Sequence, residues 1–211
     1  MNQVYTRAER IVDGIIHAVG IFAGLAAVIA MMTSAIPSLP YAATLSLAIY
    51  GTAMLAMFCC SAAYNLVPAP QWKVRLRRLD QAAIFLKIAG TYTPFALIKM
   101  GGVAGYALLG SVWIIALLGA AGKLLLKSTW DRSAIVLYLA LGWAGLLVLQ
   151  PLSASVTPSV LLLLAFGGGL YSIGVIFHIW RSLPYQNAIW HFFVLLGTAF
   201  HFGAVVTAVF A

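Results

Sequence analysis

Charge is what this chain has least of. Asp, Glu, Lys and Arg make up only 8% of its 211 residues, and 64% are apolar; soluble domains carry about 25% charged residues. A water-soluble fold cannot hide that much apolar surface, which excludes a soluble enzyme or binding module. Acidic residues are scarcest, four against twelve Lys and Arg, for a formal net charge of +8. No basic, water-facing domain exists to present that charge to a nucleic acid, so no nucleic-acid partner is expected. Cysteine is nearly absent: Cys59 and Cys60 are neighbours, pointing about 100° apart on a helix, and read as packing residues rather than a disulfide framework. A basic leader is missing as well. The residues before the first apolar run include Glu9 and Asp13, so that run is expected to be retained rather than cleaved.

Long apolar runs dominate what remains. Stretches able to span a bilayer, at about 20 residues each, read at 15–33, 41–64, 81–99, 103–122, 133–150, 159–180 and 188–210. The expected fold is an all-α integral membrane bundle of seven transmembrane helices, one domain over 1–211 with no room for a soluble one. Ten of the twelve basic residues (Arg7, Arg10, Lys73, Arg75, Arg77, Arg78, Lys123, Lys127, Arg132 and Arg181) fall on one side of such a bundle; Lys99 falls on the other and Lys87 inside span three. Basic loops stay inside, so the N-terminus is expected to be cytoplasmic and the C-terminus external, in a plasma or bacterial inner membrane. The same charge draws anionic lipid head groups.

Polar residues inside such spans are costly and mark function by default. In the last span Asn187 and His191 are four apart, hence on one helix face, and His201 lies about 15 Å deeper. Span two ends in Ser61-x-x-Tyr64-Asn65, and span three opens with Asp80. His17, four residues after Asp13, reads either as an interfacial histidine bonded to its neighbour or as part of an inward-facing site. His178, beside Trp180 and Arg181, reads as an interface anchor or a ligand. The expected topology brings all of these except His201 to one depth, so a polar cluster at the inner leaflet is predicted. Pro94 leaves the Gly90 carbonyl without its helical partner, which predicts a kink there with Thr91 or Thr93 bonding the freed carbonyl. Gly20 and Gly24 form a GxxxG pair suited to close helix approach, Gly167-Gly168-Gly169 marks close packing or a bend, and spans four and five read as scaffold.

Several of these pieces occur together in order: Glu9 with His17, Ser61-x-x-Tyr64, Leu79-Asp80, Ile88-Ala-Gly-Thr-Tyr-Thr-Pro94-Phe, Gly168-Gly-x-Tyr171-x-x-Gly174 and Ala188-Ile-Trp-His191-x-Phe-Val. With them the chain resembles, over essentially its whole length, the hemolysin III branch of the progestin and adipoQ receptor family, related to the alkaline ceramidases. That resemblance implies an intramembrane zinc site: one histidine on span two, two on span seven, and an Asp that holds a zinc-bound water beside a serine. Three imidazoles leave a fourth position for water, whose pKa the metal lowers toward about 7, a nucleophile for an acyl amide.

This chain departs from that pattern at its centre. Ser61 and Asp80 are retained as the catalytic pair of an active member. Asn65 and Asn187, however, stand at two ligand positions and only His191 remains, and an amide oxygen is a poor zinc ligand. Lys87, two turns beyond Asp80, stands where the family has an apolar residue; unpaired at mid-bilayer it would cost about 2.5–3.5 kcal/mol. One expectation is therefore loss of the metal, with Lys87 supplying charge near Asp80 and the two asparagines bonding across helices. The other is a relocated zinc site using Asp80, His191 and one or two of His17, His178 and His201. The corresponding functions are a sensor or maintainer of membrane state, with membrane lipids as partners and a lipid ligand inside the bundle, or a metal-dependent lipid amidase. Cytolysis is implied by the family name alone.

Overall fold

The computed structural model describes residues 5–126 and 130–210; Lys127, counted above among the loop cations, lies outside them. All regular structure among the described residues is helical: α1 Arg7–Ser38, α2 Tyr41–Leu66, α3 Lys73–Pro94, α4 Gly102–Leu125, α5 Asp131–Gly142, α6 Leu149–Ser155, α7 Pro158–Ile179 and α8 Gln186–Phe210. Seven segments are long and apolar enough to cross a membrane, α5 and α6 together forming the fifth. The protein is a multi-pass membrane protein.

The first helix starts well before the apolar run because Thr6 caps it. Its hydroxyl accepts the Glu9 N–H at 3.2 Å, and the Glu9 carboxylate accepts the Thr6 N–H at 2.7 Å, a capping box that satisfies two orphan donors reciprocally. The second Glu9 oxygen accepts the Tyr185 N–H at 2.9 Å. This ties the start of α1 to the turn before α8, where Tyr185 holds a φ of 58°. The helices that carry His17 and His191 are thereby fixed to each other at the basic end.

Glycines set the helix spacings. The Gly20–Gly24 pair receives a side chain, not a backbone: a Cβ at either would lie 3.4 or 3.3 Å from the Phe58 ring of α2. Gly90 lets α3 close on α2, where a Cβ would meet that of Ala53 at 2.9 Å. Beyond Pro94 the chain continues as a π-helical segment, Phe95–Met100. The Thr91 and Thr93 hydroxyls bond the carbonyls of Lys87 and Ala89, each at 2.9 Å, and not the Gly90 carbonyl as predicted. A threonine in a helix reaches the carbonyl four residues back, and for neither residue is that Gly90.

The fifth span is broken by a 3₁₀ stretch, Ala144–Val148. Backbone freed inside a membrane must find partners, and Tyr92 of α3 supplies both: its hydroxyl donates to the Gly142 carbonyl at 2.7 Å and accepts the Gly145 N–H at 2.9 Å. Tyr92→Phe is expected to destabilise the protein by about 1–3 kcal/mol, the usual cost of polar groups left unpaired, read as a lower unfolding midpoint in detergent; an unchanged midpoint would mean the break is satisfied elsewhere.

Around these contacts the bundle contains a cavity of about 2020 Å³ to which every helix from α1 to α8 contributes lining. Span five was predicted to be scaffold, yet Tyr138 and Trp143 are part of that wall.

Candidate functional site: a polar centre in a membrane cavity

At the basic end, α1, α2 and α8 bring Asp13, His17, Ser61 and His191 together. His191 Nδ1–H donates to Asp13 Oδ1 at 2.6 Å, and His17 Nδ1–H donates to the Asp13 main-chain carbonyl at 2.8 Å. Those acceptors hold a proton on each Nδ1. Each Nε2 then faces one hydroxyl, Ser61 Oγ, at 3.3 Å from His17 and 3.4 Å from His191. The two rings meet edge-on with centroids 4.3 Å apart. Asp13 and His17 are 5% and 6% exposed, so these bonds form with little competition from water.

The hydrogen count is informative. Two neutral imidazoles would offer two Nε2 lone pairs to a hydroxyl with one hydrogen. Ser61 can therefore donate to only one of its neighbours, and its two lone pairs are left to accept. Asp13 Oδ2 accepts from Asn187 Nδ2 at 3.1 Å, and the same amide donates to Asn65 Oδ1 at 3.1 Å. Asn65 in turn donates to the Ser61 carbonyl at 2.9 Å. Asp80 approaches the Ser61 hydroxyl from α3.

A second polar group lies deeper. Lys87, 4% exposed, donates to the Tyr171 hydroxyl, with its ammonium 4.3 Å from that ring's centroid. Tyr171 and Thr198 hydroxyls are 2.6 Å apart, and His201 stands edge-on to Tyr171 at 5.4 Å with Nε2–H on the Leu164 carbonyl at 3.3 Å. No ion pair joins Lys87 to Asp80 among the described residues. The expected charge substitution beside Asp80 is therefore absent, because two helical turns carry the ammonium to the middle of the span.

Comparison with known proteins follows the same order of residues. The family model described as "Haemolysin-III related" matches residues 5–202. The chain belongs to the hemolysin III family. It is 34% identical over 198 residues to Hemolysin-3 of Bacillus cereus, covering 94% of this chain and 90% of that one. Against the Hemolysin-3 homolog of Bacillus subtilis the figures are 34% over 203 residues, 96% and 95%. The human monocyte to macrophage differentiation factor is 27% identical over 165 residues, 74% of this chain and 67% of its own. No solved structure matches.

As a hemolysin III protein the chain can be tested against the zinc set the family implies, and the family's own positions do not fit. Asn187 turns its amide N–H groups to Asp13 and Asn65, and Asn65 has its oxygen on Asn187 and its amide N–H on the Ser61 carbonyl. A different set does lie close enough for an ion: one ligand atom each from Asp13, His17 and His191 falls within 4.8 Å of the others. Of the alternative ligands, only His17 joins His191. His178 packs against Trp190, ring centroids 4.9 Å apart, and His201 belongs to the deeper group. Ser61 and Asp80, the catalytic pair of an active member, do meet. Sequence reasoning missed Asp13 as the acceptor that organises the centre, although it is one of four acids and sits four residues before His17. It also missed Tyr171, whose signal was its place in a shared motif.

Proposed function

We propose that this hemolysin III protein senses or maintains membrane state by taking a lipid amphiphile into its bundle, with a hydrogen-bonded polar centre where the family implies zinc. One observation carries the reading. A single cavity of about 2020 Å³, above the roughly 300–1,000 Å³ of ordinary ligand pockets, is lined by the polar centre and by Leu108, Leu149, Leu152 and Leu161. That combination suits a molecule with a polar end and an acyl chain. The Asp13–His191 pair and the two asparagine amides then act as a polar floor and need no metal to be satisfied. The floor lies at the basic end, which the distribution of Lys and Arg assigns to the cytoplasmic leaflet.

A metal-dependent lipid hydrolase is the second reading, favoured by the convergence of both Nε2 atoms on Ser61 beside Asp80. His17 and His191 would hold the metal through Nε2, and Asp13 would orient His191 through Nδ1–H, the usual arrangement behind a ligating histidine. A bound metal would supply an activated water. Cytolysis, carried only in the names of relatives, gains no support from the site.

Metal content of the detergent-purified protein by plasma mass spectrometry, beside His17→Ala and His191→Ala, separates the two. We expect no stoichiometric metal in any of the three and no fatty-acid release from an N-acyl lipid. One zinc per chain, lost in both variants, together with acyl release, would replace the first reading with the second.

A further inference from the structure

We propose that Lys87 and Tyr171 form an anion-receiving site halfway along the bundle, which holds the carboxylate of a single-chain amphiphile. The inference rests on the cavity being an amphiphile site and names the class of amphiphile.

Lys87 lines the cavity and is 4% exposed. An ammonium has three hydrogens. One is given to Tyr171, whose own hydroxyl is held by Thr198 at 2.6 Å. Tyr171 accepts from Lys87 and shares a hydrogen bond with Thr198 in which either hydroxyl can donate, leaving two ammonium hydrogens for an acceptor in the cavity. Among the described residues no side-chain carboxylate pairs with it. Of its four acids, Asp13 is bound by His191 and Asn187, Asp131 by Arg77, Gln81 and Lys123, and Glu9 by Thr6 and Tyr185. Asp80 lies against Ser61 two turns away. Buried charges are retained when they are paired or functional, and a ligand carboxylate would supply the counter-charge here.

Depth selects the ligand. Lys87 is fourteen residues along α3 from Lys73, about 21 Å at about 1.5 Å per residue, and Met100 closes the span at a similar distance on the other side. A phospholipid phosphate reaching that level would drag its glycerol and both ester groups into an apolar channel. A carboxylate ending one chain needs only the width of the chain. His201 narrows the site without competing for the anion, because its Nε2–H is committed to the Leu164 carbonyl.

The test uses full-length protein in dodecyl maltoside and quenching of its tryptophans, of which Trp143 and Trp190 line the cavity. The probes are a brominated C18 fatty acid, its methyl ester and a brominated lysophosphatidylcholine, on wild type, Lys87→Met and Lys87→Arg. Each variant's fold is checked by its elution and unfolding midpoint. We expect wild type to bind the acid at least tenfold tighter than the ester. Lys87→Met should lose that preference with ester binding unchanged, and Lys87→Arg should keep most of it. Equal binding of acid and ester by wild type, or a preference that survives in Lys87→Met, would overturn the Lys87 site while leaving the cavity reading intact. Preferential, Lys87-dependent binding of the lysophospholipid would overturn the single-chain carboxylate. Failure of every probe to bind would overturn the cavity reading and the proposal with it.

Discussion

Asp13→Ala is expected to destabilise this protein by about 2 kcal/mol or more, since each buried polar group left unpaired costs about 1–3 kcal/mol. The reason is that one side chain accepts from two others. His191 Nδ1–H and Asn187 Nδ2 both lose their acceptor, and the link from α1 to α8 at the basic end loses its charge. At about 2–4 °C per kcal/mol for a chain of this size, the unfolding midpoint in detergent should fall by about 4 °C or more. Asp13→Asn keeps an acceptor oxygen for His191 but not the charge, so it should fall between Ala and wild type. A midpoint for Asp13→Ala within about 1 °C of wild type, the range of an ordinary surface change, would mean that the centre does not hold the helices together. Removing Asp13 should also release the His191 ring, so any lipid binding that depends on the centre should weaken in Asp13→Ala and be largely kept in Asp13→Asn.

Gly167→Ala should be as plain in a different way. A Cβ there would overlap the His201 ring, with Nε2 at 2.6 Å, and would lie 3.1 Å from the Gly197 carbonyl oxygen. The reciprocal contact, Gly197 against the Gly167 carbonyl, is also 3.1 Å, so α7 and α8 cross backbone to backbone. Neither carbonyl can retreat without separating the helices, and overpacking of this kind costs about 1–3 kcal/mol. Displacing His201 also breaks its bond to the Leu164 carbonyl. Gly169 provides the control: a Cβ there meets nothing within 4 Å, and alanine in a helix interior gains about 0.5–1 kcal/mol over glycine. The two substitutions, two residues apart, should therefore move the unfolding midpoint in opposite directions. Equal shifts would show that the crossing has slack that the close contacts do not suggest.

The contrast between Gly167 and Gly169 also marks how far the sequence could be read. Gly167-Gly168-Gly169 was legible as a place of close packing, but which glycine carries the contact depends on the helix that crosses it. The Gly20–Gly24 pair was similarly legible as a close approach, whereas its occupant, the Phe58 ring, was not. The polar cluster was visible because Asn65, Asp80, Asn187 and His191 end or begin spans on one side. Asp13 was visible only as a neighbour of His17, since its role as acceptor for α8 spans more than 170 residues of chain.

Apolar run lengths and the distribution of Lys and Arg are local properties, and the bilayer converts them directly into helices of known length; hence the all-helical, seven-span architecture could be obtained from the amino acids alone. Family membership was equally readable, because its motifs are short and ordered along the chain. Partner choice among buried polar groups is not local. Lys87 faces Tyr171 and not Asp80 because about 10 Å of helix separates residues seven apart, and because α7 happens to bring a hydroxyl to that depth. His17 joins His191, while His178 and His201 do not, because rotation of each helix about its axis is set by packing against its neighbours. Spacing along one helix says which residues share a face; only the assembled bundle decided what that face meets.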